Sequence, residues 1–511
     1  MKLPKISKSF VRFIAIRAIM ALLLFMTLAA WAMSSALGSS NDEDFILTSM
    51  WCGTSESIGA TPYCQPDPNR PGFMIVPGLV TAPDLCLHIS VSGHRGSAAC
   101  QEGVRNEVFL TDHYNKGGYP KTYPDVMRNF VSADVEKSVV QMRLFNSLLA
   151  ALILILAFSI NLRPFNDAHL TWMIVIIPGA AHFIGSVHNS SWTLTGTTCF
   201  VFAFMSVLNN RNVPKLWIPA LLVALFAVWL TISSRPEGKY ALIFLAMVLL
   251  ISEFPPKGLK LSKKSLLIAG ATLAIATFVY QRTNYWGQVN IFNDQRIMPE
   301  KEFPHTANDL LLNNFLQLPD LFLSYFGSLG IGWSSVRMGS MVWLFSFQST
   351  LLLIVFAIRK SHKPHQIIFA SAFLFICFVI LYLNQTGLFE IINEIDPRYF
   401  LPTFIGLIII AANNKKDRYP NSLVVSVAVM STISNSLAVR YVIRRHVTGQ
   451  DVFSTKSLNR GREWWWQFGP KPETVWLTGT LALAALWAIL IYERNNEEIE
   501  TQQSSTPELA N

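Results

Sequence analysis

A chain of 511 residues in which 51% are hydrophobic, 12% aromatic and only 14% charged carries about half the charge of a soluble globular domain, which argues against a water-soluble enzyme. The net charge of +9 is scattered in short clusters between apolar blocks instead of forming one basic stripe, so nucleic acid is not an expected partner and the charge reads as a topology signal. Apolar blocks of about 20 residues, the length that crosses a bilayer, recur along the chain.

The first block, 13–37, follows a basic leader (Lys2, Lys5, Lys8, Arg12), which places the N-terminus in the cytoplasm. Small residues at its end (Ser34, Ser35, Ala36, Gly38) would also suit signal cleavage, but the run is long for a signal peptide and a retained helix is expected. Residues 38–140 form a polar segment of roughly one hundred residues holding Cys52, Cys64, Cys86 and Cys100. Four cysteines there suit two disulfides in an oxidising compartment, with the pairing open. Further apolar blocks fall at 144–160, 170–184, 192–208, 216–232, 240–251, 265–280, 340–358, 366–383, 399–412, 421–438 and 474–492. The expected fold is an all-α polytopic membrane protein of about 12 transmembrane helices with a disulfide-containing first outer loop. Threaded alternately, the blocks put Arg163, Arg211, Lys215, Lys257, Lys260, Lys263, Lys264, Arg359, Lys360, Lys363, Lys415, Lys416 and Arg418 inside, as the positive-inside rule asks.

The organisation that follows is a cytoplasmic leader and first helix (1–37), an extracytoplasmic loop with four cysteines (38–140), helices 2–7 (141–280) and an outer loop (281–339). Helices 8–11 (340–438), a basic, Trp-rich outer loop (439–473), the last helix (474–492) and an acidic, disordered cytoplasmic tail (493–511) complete it. Within 281–339 the run 309–333, broken by Pro319, Gly327, Gly330 and Gly332, reads as an interfacial or re-entrant helix.

Chemistry is expected on the outer segments. Asp42, Glu43 and Asp44 follow the first block directly; carboxylates there suit a general base or a divalent metal, and a solvated helix end is the competing reading. In Ser233-Ser234-Arg235-Pro236-Glu237-Gly238-Lys239-Tyr240 a helix start draws Arg235 and Lys239 toward the hydrocarbon boundary, where unpaired charge is costly and an anionic headgroup or an acid such as Asp42 would relieve it. In Asp396-Pro397-Arg398-Tyr399 the acid caps a helix and Arg398 faces the mouth of the bundle, open to a phosphate or to Glu390 or Glu394. The last outer loop defies the positive-inside rule, with seven basic residues (Arg440, Arg444, Arg445, Lys456, Arg460, Arg462, Lys471) against three acids. Its Trp464, Trp465 and Trp466 suit sugar stacking or an interfacial belt. His94 and Arg95 lie between Cys86 and Cys100, in a loop a disulfide would hold.

The acids after the first block, the Ser-Arg-Pro-Glu-Gly-Lys-Tyr turn, the stretch from Leu318-Pro319 through Phe326-Gly327-Ser328-Leu329-Gly330 to Trp333, and Arg398-Tyr399-Phe400-Leu401-Pro402 together resemble the bacterial membrane-protein family known as domain of unknown function 2142. That family is similar in layout to the GT-C glycosyltransferases, which use lipid-phosphate-linked sugars at the outer face of the membrane. The resemblance implies a GT-C-like fold and a catalytic carboxylate close to the first span, a position that Asp42 or Glu43 matches, with Asp44 in reserve. The four cysteines, and Ile46 and Leu47 where a histidine often stands, depart from the family pattern.

The expected reaction is sugar transfer from a polyprenyl-phosphate donor to a cell-envelope glycan or lipid-linked acceptor, in the plasma (inner) membrane with both termini cytoplasmic. Asp42, Glu43 or Asp44 supplies the base; Arg235, Lys239, Arg398, Arg440, Arg444 and Arg445 hold the donor phosphate. Glu237, Tyr240, Tyr399, Arg462, Trp464, Trp465, Trp466, His94 and Arg95 contact sugar or acceptor. A divalent ion, Mg or Mn, fits Asp42 and Glu43 but is not demanded, since arginines stabilise a leaving phosphate unaided. The alternatives are a transporter or flippase of an anionic lipid-linked glycan, which would need ionisable groups deep in the spans, a glycan polymerase or ligase of the same compartment, and a non-catalytic assembly partner that binds through the disulfide-bonded segment.

Overall fold

The computed structural model describes residues 8–53, 61–83, 87, 96–160, 170, 172–253, 307–332, 336–387, 397–413, 418–449 and 457–505. An apolar run without proline or glycine makes helix α1, Lys8–Ser34. After a break at Gly38 (φ 66) comes α2, Glu43–Cys52. Strands β1 (Gln65–Pro66), β2 (Met74–Pro77) and β3 (Val108–Thr111) form an antiparallel sheet in that order, with α3 (Gly78–Thr81) between β2 and β3. Ile75 pairs with Gln65 on one side and Leu110 on the other. A Cys52–Cys64 disulfide ties the end of α2 to this sheet. Cys100 is disulfide-bonded too, whereas Cys86 lies outside the described residues.

Helix α4 (Thr122–Met127) leads into α5 (Val135–Ile160), where Asp134 Oδ1 caps the first turn by accepting Lys137 N–H at 3.0 Å. Next come α6 (Pro178–Ile184), α7 (Asn189–Asn209), α8 (Pro214–Ile232) and α9 (Gly238–Glu253); α6 and α8 open on a proline, whose missing N–H costs nothing there. The remaining helices are α10 (Ala307–Ser324), α11 (Ser340–Lys360), α12 (Lys363–Gly387), α13 (Leu401–Asn413), α14 (Asn421–Val447) and α15 (Pro472–Ser505).

Among the described residues eight helices are long and apolar enough to cross a membrane: α1, α5, α7, α8, α11, α12, α14 and α15. The expected block at 265–280 lies outside the described residues. The block at 170–184 is broken by Pro178 into a 3-10 turn, Trp172–Ile176, and α6. Those at 240–251 and 399–412 are the shorter helices α9, of 16 residues, and α13, of 13. The tail after 492, expected to be disordered, continues α15 to Ser505, because its Glu, Arg and Gln are good helix formers. Within the expected interfacial run, α10 exposes Leu311, Leu312, Phe315 and Leu316 while burying Leu310, Asn314, Leu318 and Leu321.

Helix α7 is the centre of the bundle, buried from Asn189 to Leu208 against α5, α8, α9 and α13. Gly196 lets α8 close on it: a Cβ there would collide with Thr231 Oγ1 and stand 2.8 Å from the Ala227 carbonyl. Helix α1 packs on α5, α14 and α15, so that its C-terminal end, the start of α2 and the start of α7 meet at one end of the bundle.

Candidate functional site

The turns that leave α1 have backbone carbonyls with no helical partner. Arg143 of α5 supplies donors, bonding Ser35 O at 2.6 Å, Ala36 O at 2.8 Å and Ala32 O at 3.3 Å. The same guanidinium grips Glu43, with Nη2 at 2.8 and 2.9 Å from the carboxylate oxygens and Nε at 3.1 Å. Val187 N–H donates to Glu43 as well, at 3.3 Å, and neither side chain is exposed at all. Glu43 is thus fully engaged in a buried pair that ties α2, α5 and the approach to α7 together.

Asp42, one residue earlier, is placed differently. It is the only non-glycine residue with positive φ among the described residues, at φ 57, a conformation aspartate tolerates better than most side chains. That twist turns its carboxylate away from the Glu43 pair and onto Arg398, while 42% of its side chain stays exposed. Arg398, only 4% exposed, also donates to Asn41 O at 3.1 Å and meets His188 Nε2 at 3.0 Å. Burial alone would raise the Asp42 carboxyl, but the Arg398 guanidinium, with Arg235 and His113 behind it, holds it below the usual carboxylate range. Asp44 faces His113, whose Nε2 lies 3.6 Å from its carboxylate.

Arg235 enters from the turn between α8 and α9. Its Nη1 donates to Ser190 Oγ at 3.0 Å, its Nε lies 2.8 Å from Glu237 Oε1, and its guanidinium sits 4.7 Å from the Tyr399 ring centre. The 3-10 turn Pro397–Tyr399 therefore offers an arginine to Asp42 and a ring to Arg235. Tyr119 completes the group. Asn115 holds its backbone through Nδ2 to Tyr119 O at 2.9 Å and Tyr119 N to Oδ1 at 3.1 Å, and Phe45 packs edge-on against its ring at 5.6 Å. Burial pushes the Tyr119 phenol up to about 12 despite Arg235; Tyr399, Glu237 and Asp42 act in the same upward direction.

Beside this polar group a cavity of about 240 Å³ opens between Pro120, Thr122, Trp229, Ile232, Pro236 and Lys239. Lys239 is buried, its Nζ 5.1 Å from the half-exposed Tyr240 ring. The arrangement sets a partly exposed carboxylate among guanidiniums and phenols, with an ammonium on the wall of an adjoining, largely apolar groove.

Other residues expected at the site serve elsewhere. Arg445 is buried and donates to Gly96 O and, at 3.4 Å, to Leu87 O, holding the disulfide-bonded segment; Arg440 lies 4.9 Å over the Trp476 ring. Arg444 is half-buried on α14 and Arg462 is exposed. Trp464, Trp465 and Trp466 are buried, not arrayed as an open stacking surface or belt: Trp466 Nε1 donates to Met33 O and Trp465 Nε1 to Pro470 O, each at 2.9 Å. His94, Arg95, Lys456 and Asp396 lie outside the described residues. Among the described residues no cluster of three His, Cys, Asp or Glu side chains is placed to hold a metal ion.

Arg143, Tyr119 and His188 are not marked as site residues by the sequence. Arg143 stands at the edge of an apolar block and reads as flanking charge, and the other two belong to no charge pattern. The Asn115-Lys116-Gly117-Gly118-Tyr119 turn was the one available signal, since Asn and Gly there announce a built turn.

Residues 24–407 match the model of a family described as predicted membrane protein (DUF2142), a stretch that takes in Asp42, Tyr119, Arg235 and Arg398 and ends before the arginines and tryptophans of 440–466. No curated protein and no solved structure matches the chain.

Proposed function

The chain belongs to the DUF2142 family of membrane proteins, and from that premise we propose that it is a GT-C-like glycosyltransferase. It moves a sugar from a polyprenyl-phosphate donor to a cell-envelope glycan or lipid-linked acceptor. In this reading about twelve helices span the plasma (inner) membrane, both termini are cytoplasmic, and Asp42 stands on the extracytoplasmic side.

The observation that carries the reading is the pairing of a partly exposed Asp42 with the buried Arg398 and nearby Arg235, next to the groove walled by Trp229, Ile232 and Lys239. Sugar transfer needs three things at one place: a carboxylate for the acceptor hydroxyl, fixed cations for the departing phosphate, and an apolar path for the isoprenoid. Asp42 takes the acceptor proton, the acceptor oxygen bonds to the anomeric carbon, and the sugar–phosphate bond breaks with its electron pair going to the phosphate. Arg398 and Arg235 neutralise that charge, and Lys239 holds the phosphate on its way in. The groove and the exposed apolar face of α10 guide the lipid. With Glu43 committed to Arg143, Asp42 is the base and Asp44 is not needed. A divalent ion is not demanded; Asp42 is the residue that would hold one, and it would add to the charge neutralisation that the arginines supply.

The test is incubation of the purified protein in detergent with radiolabelled polyprenyl-phosphate sugars, scoring donor loss and labelled acceptor, with Asp42→Asn alongside. Turnover in the wild type that falls about 10²–10⁴-fold in Asp42→Asn is the expected result. Donor bound but never consumed with any acceptor overturns the reading in favour of a flippase or an assembly partner.

A further inference from the structure

At the start of α7 the ring of His188 is approached by hydrogen-bond donors from both sides. Its Nδ1 accepts the backbone N–H of Ser190 at 2.9 Å, the bond that caps the helix. A neutral imidazole that accepts at Nδ1 carries its proton on Nε2. Yet Nε2 stands 3.0 Å from Arg398 Nη1, a nitrogen that has protons and no lone pair to offer. Two N–H groups therefore meet head on, and the other tautomer only moves the conflict to Ser190. A protonated ring would make it worse: burial first, then Arg398 and Arg235, push the basicity of His188 well below the ordinary histidine value.

Buried donors facing one another are reconciled by an acceptor oxygen with several lone pairs, and the surroundings set its charge. Arg398 and Arg235 are 4% and 3% exposed, and the N-terminus of α7, with its own partial positive charge, lies behind them. Arg235 Nη1 is already anchored on Ser190 Oγ, in the same first turn. We propose that His188 is a ligand-binding residue of this site, its neutral Nε2–H sharing one phosphate oxygen with Arg398 Nη1–H. The proposal rests on the reading that the site takes the phosphate of a polyprenyl-phosphate donor, and it adds a third, uncharged donor to the two guanidiniums.

Two substitutions separate the two jobs of the ring. Asparagine keeps an acceptor where Nδ1 stood and so keeps the cap, but ends short of Nε2. Glutamine puts an N–H where Nε2 stood and gives up the cap. The full chain in detergent is titrated with farnesyl monophosphate, with farnesol and inorganic phosphate in parallel, and thermal unfolding of each variant checks its fold. Wild type and His188→Gln are expected to bind farnesyl monophosphate within about threefold of each other. His188→Asn should bind about tenfold more weakly, the loss of one good hydrogen bond to a charged group. Farnesol should not distinguish the three. Inorganic phosphate competing in the same rank order supports a headgroup-only ligand at these donors, and competition by the lipid phosphate alone supports a lipid-borne one. His188→Asn binding as tightly as wild type, with its unfolding temperature unchanged, overturns the proposal and leaves His188 a helix cap. That comparison decides even where His188→Gln fails to fold. Wild type that binds neither phosphate probe overturns the donor-phosphate reading itself, which is a different failure.

Discussion

Arg143 holds Glu43 across 100 residues of sequence with three contacts of 2.8–3.1 Å, and neither side chain has any exposed surface. A buried pair of this kind adds little net stability over a well-packed apolar pair, but removing one partner strands the other. Glu43→Gln is therefore expected to lower stability by about 3–5 kcal/mol, and Arg143→Met by a similar amount. The double variant Glu43→Gln/Arg143→Met should cost much less than the sum of the single ones, because no charge is left alone. Thermal unfolding in detergent of the four proteins reads this directly. Additive losses would mean that Arg143 matters only through the carbonyls of Ala32, Ser35 and Ala36.

Asp42 and Arg398 give a pH prediction with a definite sign. The folded Asp42 carboxyl lies below its ordinary value, so their attraction is fully present above about pH 4, the unfolded aspartate value, and is lost as pH falls through the lower folded value. Below about pH 4 the wild type should lose unfolding temperature faster than Asp42→Asn, which has nothing to protonate there. Activity due to an ionised Asp42 should be level from pH 5 to 8 for the same reason. Arg398→Gln removes the main downward influence and should move the acid limb of the rate profile to higher pH. An unmoved limb would show that another group sets it.

The eight long helices were legible because hydropathy over about 20 residues is a length argument that needs no tertiary context. Asp42, Arg235 and Arg398 were legible as charge at the edges of apolar blocks. What separates Asp42 from Glu43 was not, since it depends on one left-handed backbone turn at Asp42 that sends adjacent carboxylates to different partners. The arginines of α14 misled for the opposite reason: positive charge in a loop looks like a binding surface until a carbonyl, as at Leu87 and Gly96 for Arg445, is seen to use it. Tyr119 and His188 lie in loops whose meaning comes from what folds against them.

Tyr119 keeps its proton well into alkaline pH. Its phenol is pushed up to about 12, so the folded chain keeps that proton where the unfolded chain has lost it. The stability this contributes is present below about pH 10 and drains away between about 10 and the folded value. Tyr119→Phe is expected to unfold at nearly the wild-type temperature at pH 7 and to show a shallower fall above pH 10. If the hydroxyl also touches the acceptor, kcat/KM falls about tenfold in the same variant while stability at pH 7 holds. Equal alkaline slopes for the two proteins would mean that burial does not hold the proton on Tyr119.

Trp466 distinguishes a packing role from a sugar platform. Its Nε1 donates to Met33 O in the last turn of α1, its ring meets Trp464 at 5.0 Å, and Arg143 lies 5.9 Å over its face. The residue therefore packs the end of α1 beside the Arg143 that grips Glu43. Trp466→Ala should cost about 3–5 kcal/mol through the lost ring, and Trp466→Phe about 1–2 kcal/mol through the stranded Met33 carbonyl. Arg462, exposed in the same segment, should change stability by less than about 0.5 kcal/mol when replaced by alanine. A sugar platform would behave the other way: Trp466→Phe would leave the unfolding temperature alone and raise KM for the donor. The geometry predicts a lowered unfolding temperature with KM unchanged, and measuring both on the one variant decides between the two roles.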